Sequence, residues 1–305
     1  MIGFLGAGRV GAQAALEVAS AGIDDVTLVD ILPGLAEGEA MDISQKIAET
    51  GVDVDVRGST DFSSLRGSKV VVITAGLARK PGMTRMDLLE KNAGIVSAVA
   101  KEVAKHAPEC IALTVTNPMD VMNYVVLRKT GFPKGRVVGM GGILDLSRFK
   151  STISEMLDIS HSSVTSLVIG EHGESMLPLA RYTSIGGVPL TKLMDETQVA
   201  QAIEATRRIA IDVISKKGAT VDAPANGVVR MVKAIAWDRN EVIPASAYLE
   251  GEYGVSGLCI GVPLVLGGNG VEKILPIDLN EEEKAQFSRG AKTIREGIAA
   301  IERSL

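Results

Sequence analysis

The chain is predicted to fold as an α/β protein: a doubly wound parallel sheet followed by a second, α+β domain. Three observations carry this. Short apolar runs such as 70–73 and 111–115 read as strands buried on both faces. Stretches with helical periodicity alternate with them through the first half of the chain. With 46% hydrophobic but only 3% aromatic residues, a core for 305 residues must be built mainly from Ala, Val, Ile and Leu, which suits parallel strands covered by helices.

In chain order, residues 1–5 form an apolar strand that runs into Gly6-Ala7-Gly8-Arg9-Val10-Gly11, and 12–21 is an Ala-rich helix closed by Gly22. The next strand, 26–29, ends at Asp30. A GxGxxG string between strand and helix, with an acid at the end of the second strand, is a dinucleotide (Rossmann) fingerprint, whereas the string alone would be a glycine turn. Gly6 permits the turn, Gly8 lets a pyrophosphate approach the backbone and Gly11 lets helix and strand pack closely. Asp30 would accept hydrogen bonds from ribose hydroxyls and repel a 2′-phosphate, so the expected cofactor is NAD rather than NADP.

Residues 33–48 read as a helix, 52–56 as a strand, and 69–73 as a strand delivering Thr74-Ala75-Gly76, small residues against which a cofactor can lie. The loop LARKPGMTR follows, with Arg79, Lys80 and Arg85 set around Pro81 and Gly82; it reads either as an anion-capturing lid or as a solvated basic loop. A helix over 86–106 and the strand 111–115 lead to Thr116-Asn117-Pro118 at a strand's carboxyl end, where Asn117 is placed for a polar ligand contact or for ordinary turn chemistry. After a strand at 136–138, Gly139-Met140-Gly141-Gly142 loosens the chain. The expected division is a nucleotide domain over 1–141 and a substrate domain over 142–305.

The second half opens with a helix near 143 that carries Asp145 and Arg148 on one face, a surface ion pair unless both have a task. A strand over 164–169 ends in Gly170-Glu171-His172-Gly173, which holds a histidine by backbone geometry and leaves it open to a ligand. His106 and His161 lie in ordinary surface settings, and no metal-ligand spacing includes any of the three histidines. A glycine hairpin at 184–188, a helix over 195–217 ending at Gly218, a helix over 224–237, antiparallel strands at 241–249 and 257–266, and a charged closing helix at 280–303 complete the chain. The Ala- and Val-rich face of 224–237 is expected to cover the site or a neighbouring subunit.

A net charge of −5 opposes non-specific binding to nucleic acid or anionic membrane. No apolar run reaches a bilayer span, and no leader pattern precedes the first strand. Cys110 and Cys259 read as small buried hydrophobes in a reducing, cytoplasmic setting.

GAGRVG, Asp30, TAGLARKPGMTR, TNP, LDLSR and GEHG occur in the order and close to the spacing of the lactate/malate dehydrogenase family, which the whole chain resembles. The resemblance implies a 2-hydroxyacid dehydrogenase in which His172 is the proton donor and acceptor, with Asp145 orienting its imidazole. Arg148 then clamps the substrate's C1 carboxylate, Arg85 polarises the reacting carbonyl, and Asn117 orients substrate and cofactor. Cofactor contacts fall on Gly6, Gly8, Gly11, Asp30, Ala75, Gly76, Asn92, Thr116 and Asn117, with no metal.

At Arg79 the family's lactate-specific members have Gln, and the arginine implies a dicarboxylate substrate, malate or oxaloacetate. Over pyruvate, the closed loop would bury that guanidinium unpaired, at about 3–5 kcal/mol. The loop and GEHG most resemble the lactate-dehydrogenase-like branch of archaea and some bacteria, and the family implies a homo-oligomer, dimer or tetramer. Val221-Asp222 departs from the usual pocket wall: Asp222 either caps the next helix or points inward, which implies a smaller or less negative substrate. The competing readings are a lactate or other 2-hydroxyacid dehydrogenase and a non-catalytic NAD-binding sensor.

Overall fold

The computed structural model describes residues 1–78 and 83–302. Its first half runs β1 (Ile2–Leu5), α1 (Arg9–Ser20), β2 (Val26–Val29), α2 (Leu35–Thr50), β3 (Val56–Ser59), β4 (Val70–Ile73), α3 (Arg85–His106), β5 (Ile111–Thr114), α4 (Met119–Thr130) and β6 (Val137–Gly139). These strands pair in parallel in the order β3-β2-β1-β4-β5-β6. Strands β1, β2, β4 and β5 are buried at every residue, as their unbroken apolar runs require. Strand order reverses between β1 and β4, which opens a crevice at their carboxyl ends.

The second half comprises α5 (Gly142–Leu157), β7 (Val164–Thr165), β8 (Val168–Ile169), β9 (Leu177–Pro178), β10 (Ser184–Ile185), β11 (Val188–Pro189), α6 (Glu196–Lys217), α7 (Asp222–Ala236), β12 (Glu241–Glu250), β13 (Ser256–Gly267), β14 (Gly270–Ile274) and α8 (Glu281–Ile301). Strand β12 pairs with β13 along its length and meets β6 at Ser246 and Gly139, so the sheet continues antiparallel to β14. Asp195 and Asn280 close capping boxes at the starts of α6 and α8, and Gly218 ends α6 in the left-handed region, as its position predicted. No helix among the described residues is long and apolar enough to cross a membrane.

Several expectations are corrected. The strand expected at 52–56 begins only at Val56: it is an edge strand, half-buried, and Gly58 is pressed so close to α2 that a Cβ there would lie 2.1 Å from the Ala36 carbonyl oxygen. Residues 164–169 split into β7 and β8, which pair with different partners, because buried Ser166 turns to bond Thr183 at 2.7 Å. Strand β14 was not anticipated, since the charges of GVEKI mask a half-exposed edge strand. The run 139–142 is not a loose connection: all four residues are buried, and a Cβ on Gly142 would lie 2.7 Å from the Val168 carbonyl oxygen. The α7 face packs on α1 of the same chain. His106 is not a surface residue, its side chain being 10% exposed beside Glu102. Both cysteines are buried, and burial pushes the Cys110 thiol up to about 12.

Candidate active site

Two sets of residues meet at the carboxyl edge of the sheet. The first is a cradle after β1. Gly6 turns with φ +103°, and a Cβ there would lie 2.8 Å from the Ala75 nitrogen; one on Gly11 would lie 1.9 Å from the Gly6 carbonyl oxygen. Gly8, the N-cap of α1, faces open space. The first turn of α1 carries neither a capping side chain nor an acid, so its N–H groups and positive dipole end are available to an anion. Asp30 holds the rim, its Oδ2 accepting the Ala7 N–H at 2.8 Å and its Oδ1 the Leu32 N–H at 2.9 Å.

The opposite wall is braced from within. The Thr74 hydroxyl donates to the Gly6 carbonyl at 2.9 Å, and Thr116 to the Ala75 carbonyl at 2.8 Å. Buried Asn92 accepts the Leu77 N–H at 2.8 Å and donates to the Asn117 carbonyl at 2.7 Å, tying the 76–77 and 116–117 turns together. A Cβ on Gly76 would lie 2.4 Å from Thr116 Cγ2, so this wall admits only glycine. Asn117 is exposed at its rim.

The second set centres on His172. Its Nδ1 lies 2.7 Å from Asp145 Oδ2, and Arg148 Nη1 donates to Asp145 Oδ1 at 3.1 Å, forming a chain of three side chains with little exposure. The pair expected on one helix face is therefore a partly buried relay rather than a solvated ion pair. Burial pushes the His172 imidazole down, but the Asp145 charge and hydrogen bond outweigh it, so the net shift is upward, with Arg148 opposing and Asp120 adding to the rise. The tight approach of Gly141, where a Cβ would lie 2.9 Å from His172 Cβ, fixes the imidazole against the start of α5.

Arg85 opens α3 and is exposed; it forms an ion pair with Glu174, two residues beyond His172, which joins the end of the basic loop to the histidine segment. Arg79, Lys80, Pro81 and Gly82 lie outside the described residues. Asp222 neither caps nor points inward: α7 has no side-chain cap, and Asp222 is exposed in an ion pair with Lys217, while Val221 is buried. Sequence reasoning missed Asp120, a buried carboxylate whose Oδ2 accepts the His172 backbone N–H at 2.7 Å. The sequence reading placed no element between Pro118 and the strand at 136–138, and only the fold puts Asp120 on α4 behind the histidine.

Residues 1–139 match the lactate/malate dehydrogenase NAD binding domain, and residues 143–304 match the alpha/beta C-terminal domain of the same family. The chain belongs to the lactate/malate dehydrogenase family. Its relatives include the malate dehydrogenase of Halalkalibacterium halodurans, 43% identical over 98% of this chain and 97% of that protein. The solved malate dehydrogenase of Aeropyrum pernix superposes with a TM-score of 0.95 at 40% identity, covering 98% of this chain and 97% of the other. The lactate dehydrogenase of Cryptosporidium parvum, solved with lactic acid and nicotinamide adenine dinucleotide, gives a TM-score of 0.95 at 34% identity over 99% of this chain and 97% of the other. The fold is that of the family, and its cofactor is NAD, which the open Gly8 face, the uncapped α1 terminus and Asp30 fit.

Proposed function

We propose that the chain is a cytoplasmic, homo-oligomeric NAD-dependent malate dehydrogenase that interconverts malate and oxaloacetate. The observation that supports it best is the 2.7 Å contact between His172 Nδ1 and Asp145, which commits one ring nitrogen and leaves Nε2 for a substrate oxygen. Gly6, Gly8, Gly11, Asp30, Ala75, Gly76, Thr116 and Asn117 hold the cofactor, with Asn92 acting through the backbone it braces. Bound NAD supplies the hydride acceptor, and NADH the donor, at the substrate's C2.

In reduction, His172 gives its proton to the C2 oxygen, and in oxidation it takes that proton back. The raised imidazole enters reduction charged, and with Arg85 it meets negative charge developing on that oxygen. Arg85 reaches this position by exchanging Glu174 for substrate. The planar guanidinium of Arg148 suits the C1 carboxylate, and Arg79 suits the second carboxylate that separates oxaloacetate from pyruvate. Residues 1–141 carry the cofactor contacts together with Arg79, Arg85 and Asn117, and 142–305 supply His172, Asp145 and Arg148. Exposed Ile31, Leu32 and Met41, at and beside α2, support association with further copies of the chain.

The test is NADH oxidation across oxaloacetate, pyruvate and longer 2-oxoacids. Oxaloacetate should lead pyruvate in kcat/KM by about 100-fold or more, because the wrong substrate leaves a buried guanidinium unpaired, and Arg79→Gln should reverse much of that ratio. Preference for pyruvate in the unmutated protein would overturn the dicarboxylate reading. Tight NADH binding without turnover of any 2-oxoacid would replace the enzyme with a sensor.

A further inference from the structure

Behind the proton site lies a cluster of buried polar side chains that the reaction does not use: Asp120 and Asn123 on α4, Ser246 on β12 and Cys259 on β13. Asn123 Nδ2 donates to the Ser246 carbonyl at 3.1 Å. A Cβ on Gly139 would lie 2.9 Å from Ser246 Cβ and 3.2 Å from Asn123 Cγ, so β6, β12 and α4 converge at this point. Of these four side chains, only Asp120 is a carboxylate. Placing such a group out of water is unfavourable unless its bonds compensate.

The hydrogen bond that Asp120 makes leads to His172, while its Oδ1 is buried without a partner among the described residues. Asp120 Oδ2 accepts the His172 backbone N–H at 2.7 Å. Two residues earlier, Gly170 and Gly261 on β13 exchange backbone hydrogen bonds at 2.9 and 3.1 Å, and after His172 the Glu171 carboxylate accepts the Ser175 N–H at 3.1 Å. The histidine segment is thus pinned at both ends, and Asp120 holds the histidine itself. Helix α4 starts two residues after Asn117, so the same contact couples the Asn117 turn to His172.

We propose that Asp120 is a positioning residue: its carboxylate anchors the backbone of His172 to the start of α4 and sets a second negative charge near the imidazole, in addition to Asp145. The inference rests on His172 being the acid–base group. Around Asp120 stand Ser246 from β12, the Cys259 thiol from β13, held protonated by burial, and His172 and Glu171 from the 170–173 segment. Asp145 and Arg148 act beyond the imidazole, and α8 meets α4 through the uncharged residues Gly297 and Val121.

Asp120→Asn keeps an acceptor for the His172 N–H and removes the charge; Asp120→Ala removes both. Oxaloacetate reduction is followed against pH for both variants and for His172→Asn, with NADH affinity read by fluorescence titration. Asp120→Ala should lower kcat about 30- to 100-fold, with the NADH Kd changed by less than about twofold, since a small misplacement of a reacting group has that effect. Asp120→Asn should recover most of the rate, while its alkaline limb moves to lower pH by about half a unit, because loss of the nearby charge lowers the imidazole pKa.

Wild-type kcat in Asp120→Ala, equal damage in both variants, or an unshifted limb in Asp120→Asn would each overturn the proposal. Should Asp120→Ala fail to fold, the Asp120→Asn pH profile decides alone. Wild-type turnover by His172→Asn would instead overturn the reading of the site on which this proposal stands.

Discussion

The proposed cofactor cradle and the proposed proton site share one edge of the sheet yet are made of different materials. The cradle is backbone: glycines at 6, 8 and 11, an uncapped helix end, and walls held by Thr74, Thr116 and Asn92. The proton site is buried charge: His172, Asp145 and Arg148 brought together from α5 and the segment after β8, with Asp120 behind. A cradle of close backbone approaches fails by steric exclusion, whereas a charge relay fails by losing a proton or its orientation. The two should therefore be separable by mutation.

The largest expected effect breaks the proton site alone. His172→Asn retains the shape of the segment and removes the titrating group, so kcat for oxaloacetate reduction should fall about 10³-fold, the range for loss of a general acid. NADH fluorescence titration should return the wild-type affinity. Loss of NADH binding in this variant would show that the two regions are not independent.

The converse break is Gly11→Ala. The added methyl would lie 1.9 Å from the Gly6 carbonyl oxygen, a backbone atom that cannot swing away, so α1 must shift from β1. Overpacking of this kind costs about 1–3 kcal/mol. Urea denaturation should show that loss, and NADH affinity should drop. A variant with intact stability and affinity but reduced kcat would contradict the division between cradle and relay.

The same contrast explains what could be read from the sequence. The glycine turn of the cradle was legible because its parts are contiguous: a turn, a helix start and an acid at the next strand end lie within 30 residues, and local sterics dictate each. The strands β1, β2, β4 and β5 were legible because burial on both faces demands unbroken apolar runs. Half-buried edge strands β3 and β14 lack that demand, and the first was misplaced and the second missed. His172 stood out through its flanking glycines. That Asp145 and Arg148 are its neighbours rather than a solvated pair depends on α5 packing beside β8, which only the order of motifs suggested. Asp120 carried no local sign, because its burial comes from β12 and β13, more than 120 residues away. The 139–142 glycines show the opposite error: read as looseness, they are where α4, α5 and the neighbouring strands approach the backbone closely.

The smallest effect sharpens the comparison by asking what a buried charge costs this fold. Burial pushes the Asp120 carboxyl up from 3.8 to about 6, despite the Ser246 hydroxyl beside it and the His172 N–H. The native state then binds this proton more tightly than the unfolded chain. Between about pH 4 and pH 6 the native state therefore carries more protons, and stability falls as pH rises through that window. Above pH 6 the full penalty, about 2–3 kcal/mol, is present. Asp120→Asn removes the titration, and the loss of an acid from the first turn of α4 returns up to about 1 kcal/mol of it. The net expectation is a gain of about 1–2 kcal/mol at pH 8, a rise of a few degrees in Tm, and no gain near pH 4, where Asp120 is already neutral. Calorimetry at the two pH values checks this: a stability difference independent of pH would show that the penalty does not come from the charge, whereas a gain confined to high pH would mean that the fold gives up stability to keep a carboxylate behind His172.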